Sequence, residues 1–147
     1  MQKFLKNNAK NKGFTLIELI VVVAIIALLV TIVAVNTVST RNKAKNQVIQ
    51  TNLNTLRAAG ILWSNNTGSY AGFCADNDCN LGSDDWKRIC SAIKIQNGNG
   101  NVSCSTISGT TAWCASARLA GSSDHYCVDV SGKSQEQAGA CSGGACD

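Results

Sequence analysis

The 147-residue chain contains no proline and a single histidine, and its outer part has little basic charge. Because proline is absent, no residue of the apolar N-terminal run breaks a helix. The many β-branched residues of this run weaken helix formation only slightly. From residue 67 onward the chain carries five basic and eight acidic side chains. Because surfaces that bind nucleic acid are generally basic, we expect no direct nucleic-acid binding by this part.

The single histidine, His125, follows Asp124 at the start of a predicted strand. A hydrolytic triad requires a specific geometry of nucleophile, histidine and carboxylate, and an ordinary surface histidine explains this position more simply. We therefore predict no catalytic residues and no enzymatic activity of the chain itself.

The dominant feature of the sequence is an apolar run over residues 14–35, FTLIELIVVVAIIALLVTIVAV. As a helix the run is about 33 Å long, enough to cross a bilayer core of roughly 30 Å. Basic residues beside a first apolar segment keep that end in the cytoplasm, so the chain after the run should lie outside. The basic residues that precede it are Lys3, Lys6, Lys10 and Lys12.

Three interpretations of this run compete. A secretory signal has an apolar region of about 7–15 residues and then a small-residue cleavage site, whereas this run is longer and no clear site follows it. A plain membrane anchor fits the length but gives Gly13 and Glu18 no role. The third interpretation is a resemblance, because the segment 12–18, KGFTLIE, resembles the leader junction of type IV prepilins and pseudopilins.

The resemblance implies specific processing and assembly. In that family a membrane peptidase cuts after the glycine, here between Gly13 and Phe14, and the enzyme then methylates the new amine of Phe14. Glu18 resembles the carboxylate that neutralises the N-terminal amine of a neighbouring subunit, and such a partner would offset most of the cost of burying its charge. The alternative for Glu18 is a carboxylate that reaches back to the lipid headgroups. Many family members have a proline later in this helix, which this chain lacks.

Eight cysteines follow the apolar run. An even number in an outward-facing region indicates disulfide bonds rather than zinc sites, and cross-links would compensate for the limited core of a small domain. Of the many possible connectivities we favour pairs between sequence neighbours, namely Cys74–Cys79, Cys90–Cys104, Cys114–Cys127 and Cys141–Cys146.

Periodic apolar residues extend the helix, and we predict one helix from about residue 14 to about residue 64, ended by the segment 65–69, NNTGS. Ser83 should cap a short helix that begins at Asp84. Residues 111–118 and 125–130 alternate as the strands of an antiparallel hairpin do, to which a third short strand could be added. The residues expected on the buried face of the long helix are Val48, Ile49, Leu53, Leu56, Ala59, Gly60 and Trp63.

These elements predict an α+β fold, in which a long N-terminal helix with an apolar first half packs against a small antiparallel sheet in a disulfide-rich head. The resemblance implies that this is the pilin fold. We divide the chain into a cleaved leader (1–13), the apolar half of the helix (14–35), its amphipathic half (36–66) and the globular head (67–147).

The head contains a set of calcium candidates at alternate positions, as the oxygen ligands of calcium loops are arranged. The match to an EF-hand loop is poor, because Leu81 stands where glycine belongs and Lys87 falls at the last ligand position. Some pseudopilins, which the chain resembles, bind calcium in their heads. Apart from this we predict no metal and no cofactor. The candidates are Asp76, Asp78, Asn80 and Asp84.

We predict a structural subunit of a type IV pilus-like surface filament, serving adhesion, motility or DNA uptake. Its precursor would cross the inner membrane once, with its N-terminus in the cytoplasm, and would then assemble into an extracellular homo-oligomer. Its partners would be the prepilin peptidase and N-methyltransferase and the pilus or secretion assembly machinery. Two alternatives are a pseudopilin of a type II secretion system and a membrane-tethered, disulfide-rich binding module.

Overall fold

The computed structural model describes residues 13–74, 77, 79–107 and 111–146, with residues 35 and 36 described by their backbone alone. The chain divides into two compact units, Met1–Val38 and Ser39–Asp147. A long helix and a four-stranded antiparallel sheet of order β1-β2-β3-β4 confirm the predicted α+β class. The elements are α1 (Leu16–Thr67), α2 (Asp84–Gln96), β1 (Val102–Thr106), β2 (Trp113–Arg118), β3 (His125–Asp129) and β4 (Ser134–Gln137).

Helix α1 has bounds close to the predicted ones. Its end is marked by Gly68, whose φ of +80° is the left-handed conformation in which glycine commonly follows a helix. The Gly68 amide donates a hydrogen bond of 2.8 Å to the carbonyl of Ser64. In the first unit the apolar side chains of α1 lie on the surface; Ile17 is 74% exposed and Leu28 is 68% exposed. Among the described residues, α1 is the one helix long and apolar enough to cross a membrane.

In the second unit one face of α1 belongs to the core. Ile49, Leu53 and Leu56 are fully buried in the same cluster as Val128 of the sheet. The periodicity also placed Val48 on this face, but this prediction is wrong, because Val48 is 42% exposed. Ser83 caps α2 as predicted, since its hydroxyl accepts a hydrogen bond of 3.1 Å from the Trp86 amide. The buried face of α2 consists of Trp86, Ile89, Cys90 and Ile93.

Helix α1 packs tightly against the sheet at Gly60. A Cβ atom at this residue would lie 2.7 Å from the buried indole of Trp113. The ring of Phe73 packs at 5.1 Å and that of Tyr70 at 6.3 Å from the Trp113 ring, measured between centroids, so the indole has little room to move. Glycine is therefore needed here for packing, although it weakens a helix interior.

The two central strands, β2 and β3, are as predicted. Trp113, Ala115 and Ala117 are fully buried, and Ala115 pairs with Val128 in the antiparallel register of β2 and β3. The sheet is nevertheless larger than the predicted hairpin with its third strand. Both edge strands, β1 (VSCST) and β4 (SQEQ), consist mainly of polar residues, so their strand structure comes from pairing with β2 and β3 rather than from an apolar pattern.

The predicted pairing of sequence-neighbouring cysteines is wrong. Cys114 and Cys127 lie on the neighbouring strands β2 and β3, but Cys114 is opposite Asp129 and Cys127 is opposite Ser116. Each of these two cysteines instead bonds to the C-terminal segment, which covers this face of the sheet. Contacts made by folding, rather than proximity along the chain, therefore decide the connectivity. The bonds are Cys74–Cys104, Cys79–Cys90, Cys114–Cys141 and Cys127–Cys146.

Asp129 is a buried carboxylate that joins the β3–β4 turn to the C-terminal segment. Its Oδ1 accepts hydrogen bonds from the Ser131 hydroxyl (2.6 Å) and the Lys133 amide (3.0 Å), and its Oδ2 accepts one from the Cys146 amide (3.1 Å). Burial acts to raise the pKa of Asp129, but these hydrogen bonds outweigh it and hold the pKa below its ordinary value of 3.8. The ionised carboxylate is thus the form that stabilises the fold.

The same turn is bound from the other side by α1. The Arg57 guanidinium donates to the carbonyl of Asp129 through Nε (2.9 Å) and to the carbonyl of Lys133 through Nη2 (2.6 Å). The ammonium of Lys133 in turn donates to the carbonyl of Cys146 at 2.6 Å. One turn therefore connects the helix, the sheet and the disulfide-bonded C-terminal segment.

Substitution Gly60→Ala should destabilise the second unit. The added methyl group would overlap the Trp113 indole, and overpacking costs about 1–3 kcal/mol, of which better helix propensity recovers up to about 1 kcal/mol. Denaturant unfolding followed by tryptophan fluorescence should show a net loss of about 1 kcal/mol. Gly139→Ala is the control, because no atom lies within 4 Å of its Cβ position. A Gly60→Ala variant as stable as this control would contradict the close packing.

Substitution Asp129→Asn should lower the free energy of unfolding by about 2 kcal/mol at pH 7, because hydrogen bonds to a charged acceptor are lost or weakened. Since the folded-state pKa is depressed, the wild-type contribution is fully present above pH 3.8 and is lost as the pH falls through the folded-state value. The variant should lack this loss on acidification. Asp85→Asn, at an exposed carboxylate paired with Arg88, is the control and should change stability little. Equal acid sensitivity of Asp129→Asn and wild type would argue against the assigned role.

Candidate functional site

The start of α1 is closed by reciprocal hydrogen bonds between Thr15 and Glu18. The Thr15 hydroxyl accepts from the Glu18 amide at 3.3 Å, and the Glu18 carboxylate accepts from the Thr15 amide at 2.9 Å and from its hydroxyl at 2.8 Å. This arrangement is a capping box, in which a threonine before the helix and a glutamate three residues later satisfy backbone amides that the helix leaves unpaired. Thr15 is thereby fixed as the residue before the first helical one.

The two residues at the predicted cleavage site precede the helix. The first helical hydrogen bond runs from the Leu19 amide to the Thr15 carbonyl (3.3 Å), so the carbonyls of Gly13 and Phe14 lie outside the helical ladder. No atom lies within 4 Å of the Cβ position of Gly13, and Phe14 is 82% exposed. The peptide bond between them is therefore non-helical and open on its sides in the isolated chain.

The polar side chains of the apolar run are all satisfied within their own helix. Thr15 and Glu18 bond to each other, and the Thr31 hydroxyl donates to the Leu28 carbonyl at 2.7 Å. Unpaired polar groups are costly in hydrocarbon, and these local bonds lower that cost without a second chain. The run can thus be surrounded by lipid despite its three polar residues.

Thr15 is the residue that the sequence interpretation missed. The segment 15–18, TLIE, has the threonine-to-glutamate spacing of a capping box just before an apolar run. This spacing alone would have predicted the cap, whereas the resemblance assigns a role only to the charge of Glu18. The structure brings Gly13, Phe14 and Glu18 together with Thr15 at one helix start.

The structure describes two of the four calcium candidates, Asn80 and Asp84. Asp76 and Asp78 lie outside the described residues, and Asn80 has an interaction of its own. Asp84 lies in the first turn of α2, is fully exposed, and pairs with Lys87 at 3.6 Å. The first-turn position of Asp84 is explained by its favourable interaction with the helix dipole, and calcium binding stays a prediction.

The remaining chemistry-bearing residues have structural explanations. The sulfur atoms of Cys114, Cys127 and Cys141 lie within 4.8 Å of one another, but each is bonded in a disulfide and offers no thiolate to a metal. His125 opens β3, as predicted, opposite Arg118 and Gln137 in the register of the sheet.

Comparison with known proteins finds a match for the N-terminal segment. Residues 8–34 match the family model described as the prokaryotic N-terminal methylation motif, and the match includes Gly13, Phe14, Thr15 and Glu18. No curated protein and no solved structure matches the chain. The motif points to a structural protein rather than an enzyme, and it implies processing by a prepilin peptidase. The chain therefore carries a prepilin-type leader, which supports its membership of the type IV pilin-like family.

Proposed function

We propose that the chain is the subunit of a type IV pilus-like surface filament. Its precursor crosses the inner membrane with the N-terminus in the cytoplasm. The prepilin peptidase cuts between Gly13 and Phe14 and methylates the amine of Phe14. The pilus assembly machinery then polymerises the subunits through their apolar helices, and the heads form the outer surface that serves adhesion, motility or DNA uptake.

The observation that carries this proposal is that the methylation motif coincides with an apolar helix whose described side chains are exposed. The motif spans residues 8–34, and in the first unit the apolar side chains of α1 are exposed, among them Val30 at 60% and Val33 at 63%. Lipid covers such a surface before assembly, and the helices of other copies can replace the lipid because both environments are apolar.

Glu18 supports assembly through its charge. Both bonds from Thr15 reach the same carboxylate oxygen, Oε2. A carboxylate can accept about four hydrogen bonds, so Glu18 retains the capacity to accept from the Phe14 amine of a neighbouring copy. Pairing these two charges would remove most of the cost of burying either in a filament core, and it favours one axial register.

Two other functions are alternatives for a chain with this N-terminal segment. A pseudopilin of a type II secretion system would share the processing, and calcium binding at Asp76, Asp78, Asn80 and Asp84 would favour it. A membrane-tethered binding module would retain residues 1–13 and remain in the membrane. The four disulfides favour the surface filament over the pseudopilin, because a heavily cross-linked head suits exposure outside the cell. The methylation motif, which implies cleavage of the leader, favours the filament over the tethered module.

The intact mass of the protein in material sheared from the cell surface tests this function. We expect a chain that begins at Phe14, carries one added methyl group and has lost the eight thiol hydrogens of its cysteines. That mass would establish cleavage, methylation and four disulfides together. An uncut chain found only in membranes would exclude a filament, and a processed chain confined to the periplasm would favour the pseudopilin.

Substitution Glu18→Gln should reduce the amount of filament in the sheared fraction by more than about tenfold, because the amine of the neighbouring Phe14 would be buried without a counter-charge. The measurement is the ratio of sheared to membrane-retained subunit. Thr31→Val is the matched control on the same helix, since the Thr31 hydroxyl bonds only a carbonyl of its own helix. Normal filament yield from Glu18→Gln would contradict the charge-pairing role.

A further inference from the structure

We propose that the Thr15–Glu18 capping box positions the Gly13–Phe14 peptide bond for the peptidase by stopping α1 before that bond. This inference rests on the proposed function, since it concerns the same cleavage. It gives Glu18 a role in processing that precedes its role in assembly, and it assigns a role to Thr15. Both are positioning residues, because the bond that is hydrolysed lies upstream of them.

The geometry supports this role at the level of the backbone. An α-helix that continued upstream would pair the Gly13 carbonyl with the Ile17 amide and the Phe14 carbonyl with the Glu18 amide. In the structure the Glu18 amide donates to the Thr15 hydroxyl instead, and the first helical carbonyl is that of Thr15. The cap therefore occupies a donor that an upstream extension would need.

In a membrane, an α1 that lost its cap would extend upstream by further helical turns rather than unwind at its first turn. Backbone amides at membrane depth must find acceptors, because little water is available there. Without the Thr15 hydroxyl, the Glu18 amide could be satisfied by the Phe14 carbonyl, and without the Glu18 carboxylate, the Thr15 amide could be satisfied by a carbonyl further upstream. That pairing would wind the cleavage site into the first turn of the helix.

A helical cleavage site is a poor substrate for hydrolysis. Water must add to the Gly13 carbonyl carbon; its oxygen remains in the new Gly13 carboxylate, and the Phe14 nitrogen leaves as an amine that gains a proton. A helical carbonyl is engaged in the backbone ladder and its carbon is surrounded by the turn. In the capped structure both residues of the cleavage site are non-helical, and the Cβ position of Gly13 has no neighbour within 4 Å.

The test is the rate of cleavage of the full-length precursor, in detergent, by membranes that contain a prepilin peptidase. Thr15→Val and Glu18→Leu each remove one half of the capping box, and each should slow cleavage by about fivefold, as expected for the loss of one N-cap. The double variant should be no slower than either single variant, because both substitutions remove the same interaction. Thr15→Ser and Glu18→Gln keep the acceptor oxygens and should restore most of the rate.

A second measurement separates positioning from direct contact with the enzyme. Amide hydrogen exchange of the uncut precursor should show the amide of residue 18 protected in every variant, but the Ile17 amide and the upstream turn protected as helix only in Thr15→Val and Glu18→Leu. Additive losses in the double variant, or cleavage of both single variants at the wild-type rate, would overturn the inference while leaving the proposed function intact. A wild-type precursor that is not cut would overturn both.

Discussion

The apolar surface of the first half of α1 is the constraint on which the chain depends. Contact of such a surface with water is unfavourable, and the large apolar side chains of α1 that the structure describes in this unit are exposed. The surface therefore requires lipid or other copies of the chain. Both environments impose the same condition, which is that polar groups be satisfied locally, and the bonds of Thr15, Glu18 and Thr31 within their own helix meet it.

The second unit solves a different problem, that of burying both faces of a small sheet. One face, which includes Trp113, is covered by α1 and α2 through Leu53 and Trp86. The other face is covered by the C-terminal segment, which contains no helix or long strand among its described residues and is held by Cys114–Cys141 and Cys127–Cys146. A segment with so few apolar residues gains little from burial, so covalent bonds and the Asp129 hydrogen bonds are needed to keep it in place.

This division explains what the sequence could predict. Elements with their own local signals were predicted well: α1 with its closing Gly68, α2 with its Ser83 cap, and the apolar strands β2 and β3. The edge strands and the disulfide pairing were not, because they depend on contacts between distant segments, for example the 27-residue separation of Cys114 and Cys141. At the candidate site the cleavage motif could be recognised from the sequence. The bonds between Thr15 and Glu18 were not predicted, because the helix was expected to begin at about residue 14, two residues before its observed start at Leu16.

Two roles are proposed for Glu18, capping the helix start before cleavage and pairing with an amine during assembly. The second follows the first because cleavage creates that amine. Before the cut, the residue preceding Thr15 carries a neutral peptide, and the carboxylate has only the cap to stabilise its charge in an apolar setting. The cut places a positive amine on Phe14, one residue from the same cap. Paired with Glu18 of a neighbouring copy, this amine would lower the cost of moving both charges into the proposed apolar filament core. In the proposed filament, removal of the leader thus does more than shorten the chain, since it gives every subunit the amine that pairs with Glu18 of a neighbouring copy.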